Sequence, residues 1–229
     1  MTKLLRALTG LLLAGALALP ATAPARADEG TPSEIVTTSK FTAQSLLNSP
    51  DYTRLRAMAK DAKGVLIFPS LLKAGFIFGV EGGSGVLLTK DADGVWSYPA
   101  FYTMVSGSFG LQIGFQDAEV IFLIMTTPGL NAILNNNVKL GVDVSIAAGP
   151  VGQGLEGSTT TSFGADIAAF SRTRGLFGGG AFEGAVAIER GDWNRAYYGS
   201  AGANARTIVM DRAFTNPGAD ELRAALIVE

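Results

Sequence analysis

The sequence predicts an α+β fold rich in strand: a twisted antiparallel sandwich or barrel-like sheet of about eight strands, with N-terminal and C-terminal helices packed on it. Three observations carry this. Stretches such as "SGSFGLQIGFQ" (106–116) and "VKLGVDVSI" (138–146) alternate apolar residues with small or polar ones, the period of a half-buried strand. Helical spacing is concentrated at the two ends of the chain, with one short insertion between strands. Glycine is abundant, 29 in 229 residues, while only 17% of residues are charged, which suits tight turns and close strand contacts rather than disorder.

Taken in order, residues 1–27 read as a secretory signal peptide: Lys3 and Arg6, an apolar run from Leu8 to Leu19, then Ala25-Arg26-Ala27 as a small-x-small cleavage site. Export to the periplasm or beyond is expected, with Asp28 opening a single mature domain, 28–229, and no cysteine for a lipid anchor. A helix is expected over 31–48 with Ser33 as N-cap, exposing apolar residues of 35–47. A second is expected over 49–64, capped by Ser49, with Pro50 at its first position and Gly64 closing it. Arg56, Lys60 and Lys63 share one solvent face of that helix.

From Val65 the pattern turns to strand. A short run, Val65–Phe68, ends at Pro69, and "EGGSG" (81–85) reads as a turn. Asp93-Gly94 marks a hairpin between 86–89 and 95–98. The uncharged second face of 106–116 is expected against a second layer or a barrel interior, with Phe109, Leu111 and Ile113 buried. Val120–Met125 is apolar on both faces and so central, and Thr127-Pro128 opens a short helix to Leu134. Further strands are expected at 138–146, 161–167 and 182–188, then a helix capped by Asn216-Pro217.

Several function classes recede on composition. The chain has neither cysteine nor histidine, which removes thiolate zinc sites, the commonest metal ligand and the commonest general base. No metal or cofactor is called for. Signal cleavage would take away Lys3, Arg6 and Arg26 from 18 basic residues facing 20 acidic ones, so the mature chain is acidic and no nucleic-acid partner is expected. "GQGLEG" (152–157) matches a dinucleotide fingerprint, but a strand pattern follows it where a helix is required. No G-x-S-x-G occurs, and the sequence reads as no enzyme.

The candidate binding residues are cations. Arg54, Arg56, Lys60, Lys63 and Lys73 have only Asp61 among them, a basic stretch that reads either as a solvated helix face or as a dock for anionic headgroups. Arg172 and Arg174 fall on one side of an extended segment, a pair suited either to phosphate or to salt bridges with Asp166 and Glu183.

"AKGVLIFPSLLKAGFIFGVEGGSGVLL" (62–88), "WSYPAFYTMVSGSFGLQIGFQ" (96–116), "GVDVSIAAGPVG" (141–152), "SRTRGLFGGGAFEG" (171–184) and "YYG" (197–199) occur in that order. Together they resemble the successive blocks of the SYLF domain, also called the Ysc84-type lipid-binding or actin-binding domain. The resemblance implies a lipid-surface binding protein: eukaryotic members bind phosphoinositides through an N-terminal helix and nearby basic surface, and some fungal members bind actin filaments. Carried to this chain, it implies an anionic phospholipid or membrane surface as partner, with Lys40 in the first helix added to the cations above. A partner protein or polysaccharide of the cell envelope is the alternative.

Overall fold

The computed structural model describes residues 30–75, 78–109, 114–135, 137–148, 164–173 and 184–228, the backbone alone at 73–75, 78–80, 108–109, 114–116, 148 and 173. The first helix, α1 (Pro32–Leu47), is capped two residues earlier than expected. Thr31 is the N-cap: its hydroxyl accepts from the Glu34 amide at 3.3 Å, and Glu34 accepts from the Thr31 amide at 2.6 Å. Pro32 has no amide to leave unsatisfied, so it takes the first helical position and puts Glu34 where a capping box needs it. The expected helix 49–64 divides: Ser49 caps a single 3-10 turn, Pro50–Tyr52, and α2 (Thr53–Asp61) follows. Gly64 opens the first strand instead of closing the helix.

The strands β1 (Gly64–Gly75), β2 (Phe78–Thr89), β3 (Ala100–Phe109) and β4 (Gly114–Ile124) are followed by α3 (Thr127–Leu134). Then come β5 (Val138–Lys139), β6 (Ile146–Ala148), β7 (Ile167–Thr173), β8 (Val186–Glu189), α4 (Gly191–Tyr198), α5 (Ala205–Val209) and α6 (Asp220–Ala225). Among the described residues the strands form one eight-stranded sheet in the order β5-β8-β3-β2-β1-β4-β7-β6. Every pairing is antiparallel except β6 with β7.

Three sequence readings change here for physical reasons. β1 runs through Pro69, because a bulge shifts its register between Phe68 and Leu71 and so tolerates a residue without an amide proton. The glycines of 82–85 lie inside β2, not in a turn: a Cβ at Gly83 would stand 2.1 Å from the Ser70 carbonyl oxygen, and one at Gly85 2.3 Å from that of Ile67. They let β2 close on the bulged strand. The expected strand 138–146 is broken at Gly141, whose φ is +79°, and Val142 points into solvent.

Residues 106–116 belong to two strands, the end of β3 and the start of β4, with 110–113 outside the described residues. Ser106 is buried on the side of Tyr102 and Met104, so the mild face turns inward at that point, as expected. The side chains of Phe109, Leu111 and Ile113 lie outside the described residues.

The sheet separates two cores. On one face Val65, Ile67, Val86, Leu88, Phe101, Ile121 and Phe170 meet α1, α2, α4 and α6 through Leu46, Leu55, Trp193 and Leu222. On the other Leu66, Phe68, Leu87, Tyr102, Val120 and Phe122 meet Ile133 of α3 and Ile208 of α5. The sheet curls round this second core, which takes Val138 and Ala187 from one edge and Val144 and Ile167 from the other. α1 also packs against α6. Among the described residues no helix is long and apolar enough to cross a membrane.

Candidate functional site

The helix α2 carries the centre of the predicted basic face, and the structure sorts its cations into different roles. Arg56 is not free on the surface. Its guanidinium donates to the carbonyls of Leu47 at 2.9 Å and Ser49 at 2.6 Å, and to the Thr53 hydroxyl at 3.1 Å. It therefore closes the C-terminal end of α1, where orphan carbonyls and the negative end of the helix dipole favour a cation. Arg54 is half-buried and lines a 380 Å³ cavity with Met58, Asp61 and Met125.

Lys60 and Lys63 are exposed, and neither side chain has an acidic or hydrogen-bonding partner among the described residues. A third cation, which the sequence reading missed, stands beside them. Lys90 reaches back from the β2–β3 hairpin and donates to the carbonyls of Ala59 at 2.7 Å and Lys60 at 3.0 Å, with its ammonium 4.8 Å from the centre of the Trp96 ring. Burial pulls its pKa below the ordinary lysine value, against the smaller upward pull of Asp61. No local motif marked Lys90, because its partners lie about thirty residues earlier in the chain. The acidic side of this neighbourhood is partly neutralised: Arg212 pairs with Asp91 at 3.3 Å and donates to the Val95 carbonyl at 2.8 Å.

The other candidates are elsewhere. Lys40 bridges α1 to α6 through Glu221 at 2.7 Å and lies over the Phe41 ring. Its hydrogen bond holds the Glu221 carboxyl below the usual carboxylate range. Arg172 pairs with Glu119, its Nε donating at 2.7 Å, and also meets the Ser45 hydroxyl. The expected partner Asp166 is engaged by Thr126 and Ser145, whose hydroxyls hold its pKa down. Arg174 and Glu183, like the 152–157 and 175–180 glycine loops, lie outside the described residues. Lys73 sits opposite Glu81 and Gln116 in the strand register, its side chain outside what is described. The apolar residues of α1 are also spoken for: Val36, Leu46 and Leu47 are buried, and Phe41, 56% exposed, is the one large apolar side chain of that helix in solvent.

The site is thus the α2 end, where Lys60, Lys63 and Lys90 gather, while Lys40, Arg56 and Arg172 are engaged within the protein. That arrangement offers positive charge and backbone, with no nucleophile or acid–base pair assembled beside it among the described residues. Comparison with known proteins gives the family. The Ysc84 family model, described as "Las17-binding protein actin regulator", matches residues 105–227. "LAS seventeen-binding protein 3" of Saccharomyces cerevisiae (strain ATCC 204508 / S288c) is 35% identical over 166 residues, 71% of this chain and 36% of its own length. "SH3 domain-containing YSC84-like protein 1" of Xenopus laevis is 31% identical over 184 residues, 80% of this chain and 55% of its own length. The human protein of the same name is 32% identical over 160 residues, 69% of this chain and 46% of its own length. The chain therefore spans between about a third and about half the length of these relatives. A family match over more than half of the chain means that this protein belongs to the Ysc84 (SYLF-domain) family.

Proposed function

We propose that this family member is an exported, non-enzymatic protein that docks on anionic membrane surfaces through the end of α2. The observation that carries the reading is the pair of exposed ammonium groups at Lys60 and Lys63, without a partner among the described residues and set beside the Lys90 cap. Cations held near an anionic bilayer contribute about 1 kcal/mol each. Export rests on the sequence of residues 1–27. Arg56, Lys40 and Arg172 support the fold, since their charges are engaged within the protein.

Sedimentation with vesicles tests this. The protein is expected to bind phosphatidylglycerol vesicles better than phosphatidylcholine ones, and to bind less as salt shortens the reach of exposed charge to about 8 Å at physiological ionic strength. Replacing Lys60 and Lys63 together by Gln should weaken binding by up to about 30-fold, the equivalent of roughly 2 kcal/mol. Binding that survives that change, or that ignores lipid charge and salt, refutes the assignment.

A second reading takes the family description at its word, as a module that binds a protein. Phe41 favours it: a large aromatic ring exposed among Thr37, Thr38 and Gln44 on the outer face of α1 is a natural contact for a partner surface, here one of the cell envelope. No binding to any vesicle would favour this reading over the first.

A further inference from the structure

Toward the other end of β1 from Lys63, a groove of about 560 Å³ opens among the described residues between the N-terminal half of α1 and the sheet. Pro69, the β1 lining residue nearest Lys63, lies six positions along the strand from it, roughly 20 Å, so this groove is distinct from the basic site. Ile35 and Thr38 form the helix wall, Leu72 and Val105 supply apolar surface, and Gly82 with Ser84 form the floor. Gly82 keeps that floor low: a Cβ there would meet only the Met104 carbonyl oxygen, at 3.3 Å. The volume lies within the range of about 300–1,000 Å³ usual for small-molecule sites.

The polar groups of the wall are mostly turned away from the opening. Thr38 donates its hydroxyl to the Glu34 carbonyl at 2.8 Å, Thr103 to the Gly83 carbonyl at 3.1 Å, and Ser70 to the Asp117 carboxylate at 2.7 Å. A sugar or nucleotide would find few groups left to pair with, whereas an aliphatic chain needs none. Glu34 is the one charged residue among the described lining residues, and its carboxylate is held at the α1 N-terminus by the Thr31 amide. That negative charge, with no cation among the described lining residues to balance it, opposes an anionic head.

We propose that the groove binds the aliphatic chain of a single-chain amphiphile whose head group is uncharged. The site goes beyond the surface-docking function and does not depend on it: the vesicle experiment probes Lys60 and Lys63, and this one leaves both intact.

The test is a titration of the full chain with decyl maltoside below its micelle concentration, followed by calorimetry and by amide shifts in NMR spectra, with decanoate as the anionic ligand of equal chain length. Saturable binding of decyl maltoside is expected, with shifts centred on 35–38, 82–84 and 103–105. Decanoate should bind about fivefold more weakly, the effect of one unit charge about 4 Å from another in water. Gly82→Leu, filling the groove from the floor, and Thr38→Phe, filling it from the exposed side of α1, should each weaken decyl maltoside binding more than tenfold and leave vesicle binding unchanged. Should Gly82→Leu fail to fold, Thr38→Phe decides, because Thr38 is exposed and outside both cores. Absence of saturable binding, binding that Thr38→Phe does not weaken, or decanoate binding as tightly as decyl maltoside would each overturn the proposal.

Discussion

Arg56→Gln separates a structural cation from a binding one. In the native protein the guanidinium spans the end of α1 and the start of the next turn, with two carbonyl acceptors at 2.9 and 2.6 Å. Hydrogen bonds to charged groups contribute about 1.5–3 kcal/mol each when well shielded, and a cation at a helix C-terminus about 0.3–1 kcal/mol. Arg56 is half-buried, and water replaces part of what is lost, so the two bonds and the dipole together should come to about 2 kcal/mol. For a domain of this size that lowers the thermal midpoint by about 4–8 °C. The Lys60→Gln/Lys63→Gln pair, on exposed side chains, should stay within about 0.5 kcal/mol of the native protein. Urea unfolding followed by circular dichroism measures both. Below its transition, Arg56→Gln should still sediment with anionic vesicles. An Arg56→Gln protein as stable as the native one, or one that is stable and no longer binds, would refute the division of roles.

Two further outcomes are expected. Gly85→Ala should destabilise by about 1–3 kcal/mol in urea unfolding, since the new Cβ would lie 2.3 Å from the Ile67 carbonyl oxygen and 2.6 Å from the Phe68 ring, whereas Gly107→Ala, with open space around it, should be close to neutral. Burial raises the pKa of Tyr102 and Tyr198 and pushes that of Tyr197 up to about 12, so these rings fold in the neutral form. Their contribution is complete below the unfolded tyrosine value of about 10 and is lost as pH rises toward the folded values. Tyrosinate absorbance should therefore lag behind an ordinary titration and rise together with loss of circular dichroism. Full ionisation at the ordinary midpoint with the fold intact would contradict that.

Much of the architecture was legible because it rests on local rules. Val120–Ile124 is apolar on both faces and lies inside the sheet, and Thr126 caps α3 next to a proline. The errors arose where a distant segment decides the outcome. Gly83 and Gly85 resemble turn glycines until the bulge of β1 is placed against them. α4 and α5 carry only short local signals, Gly199 at φ +63° ending the one and an Asn204–Thr207 capping box starting the other. These helices are too short for a clear period, and packing stabilises them more than propensity does. Among the candidate cations, charge alone could not distinguish Lys60 from Arg56, because the carbonyls that occupy Arg56 belong to the preceding helix.

The contact between α1 and α6 also sets the order in which the chain can finish folding. Lys40 meets Glu221 across 181 residues, and the Trp96 indole donates to the Leu226 carbonyl across 130. A helix made early in synthesis thus waits for one of the last segments to seal it, and its loop-closure entropy must be met before that contact gives anything back. Until α6 arrives, the side of α1 that faces it stays open to other apolar surfaces, including those of neighbouring copies. Completion of this fold is therefore a late, whole-chain event, and loss of the final helix would injure the beginning of the domain as much as its end.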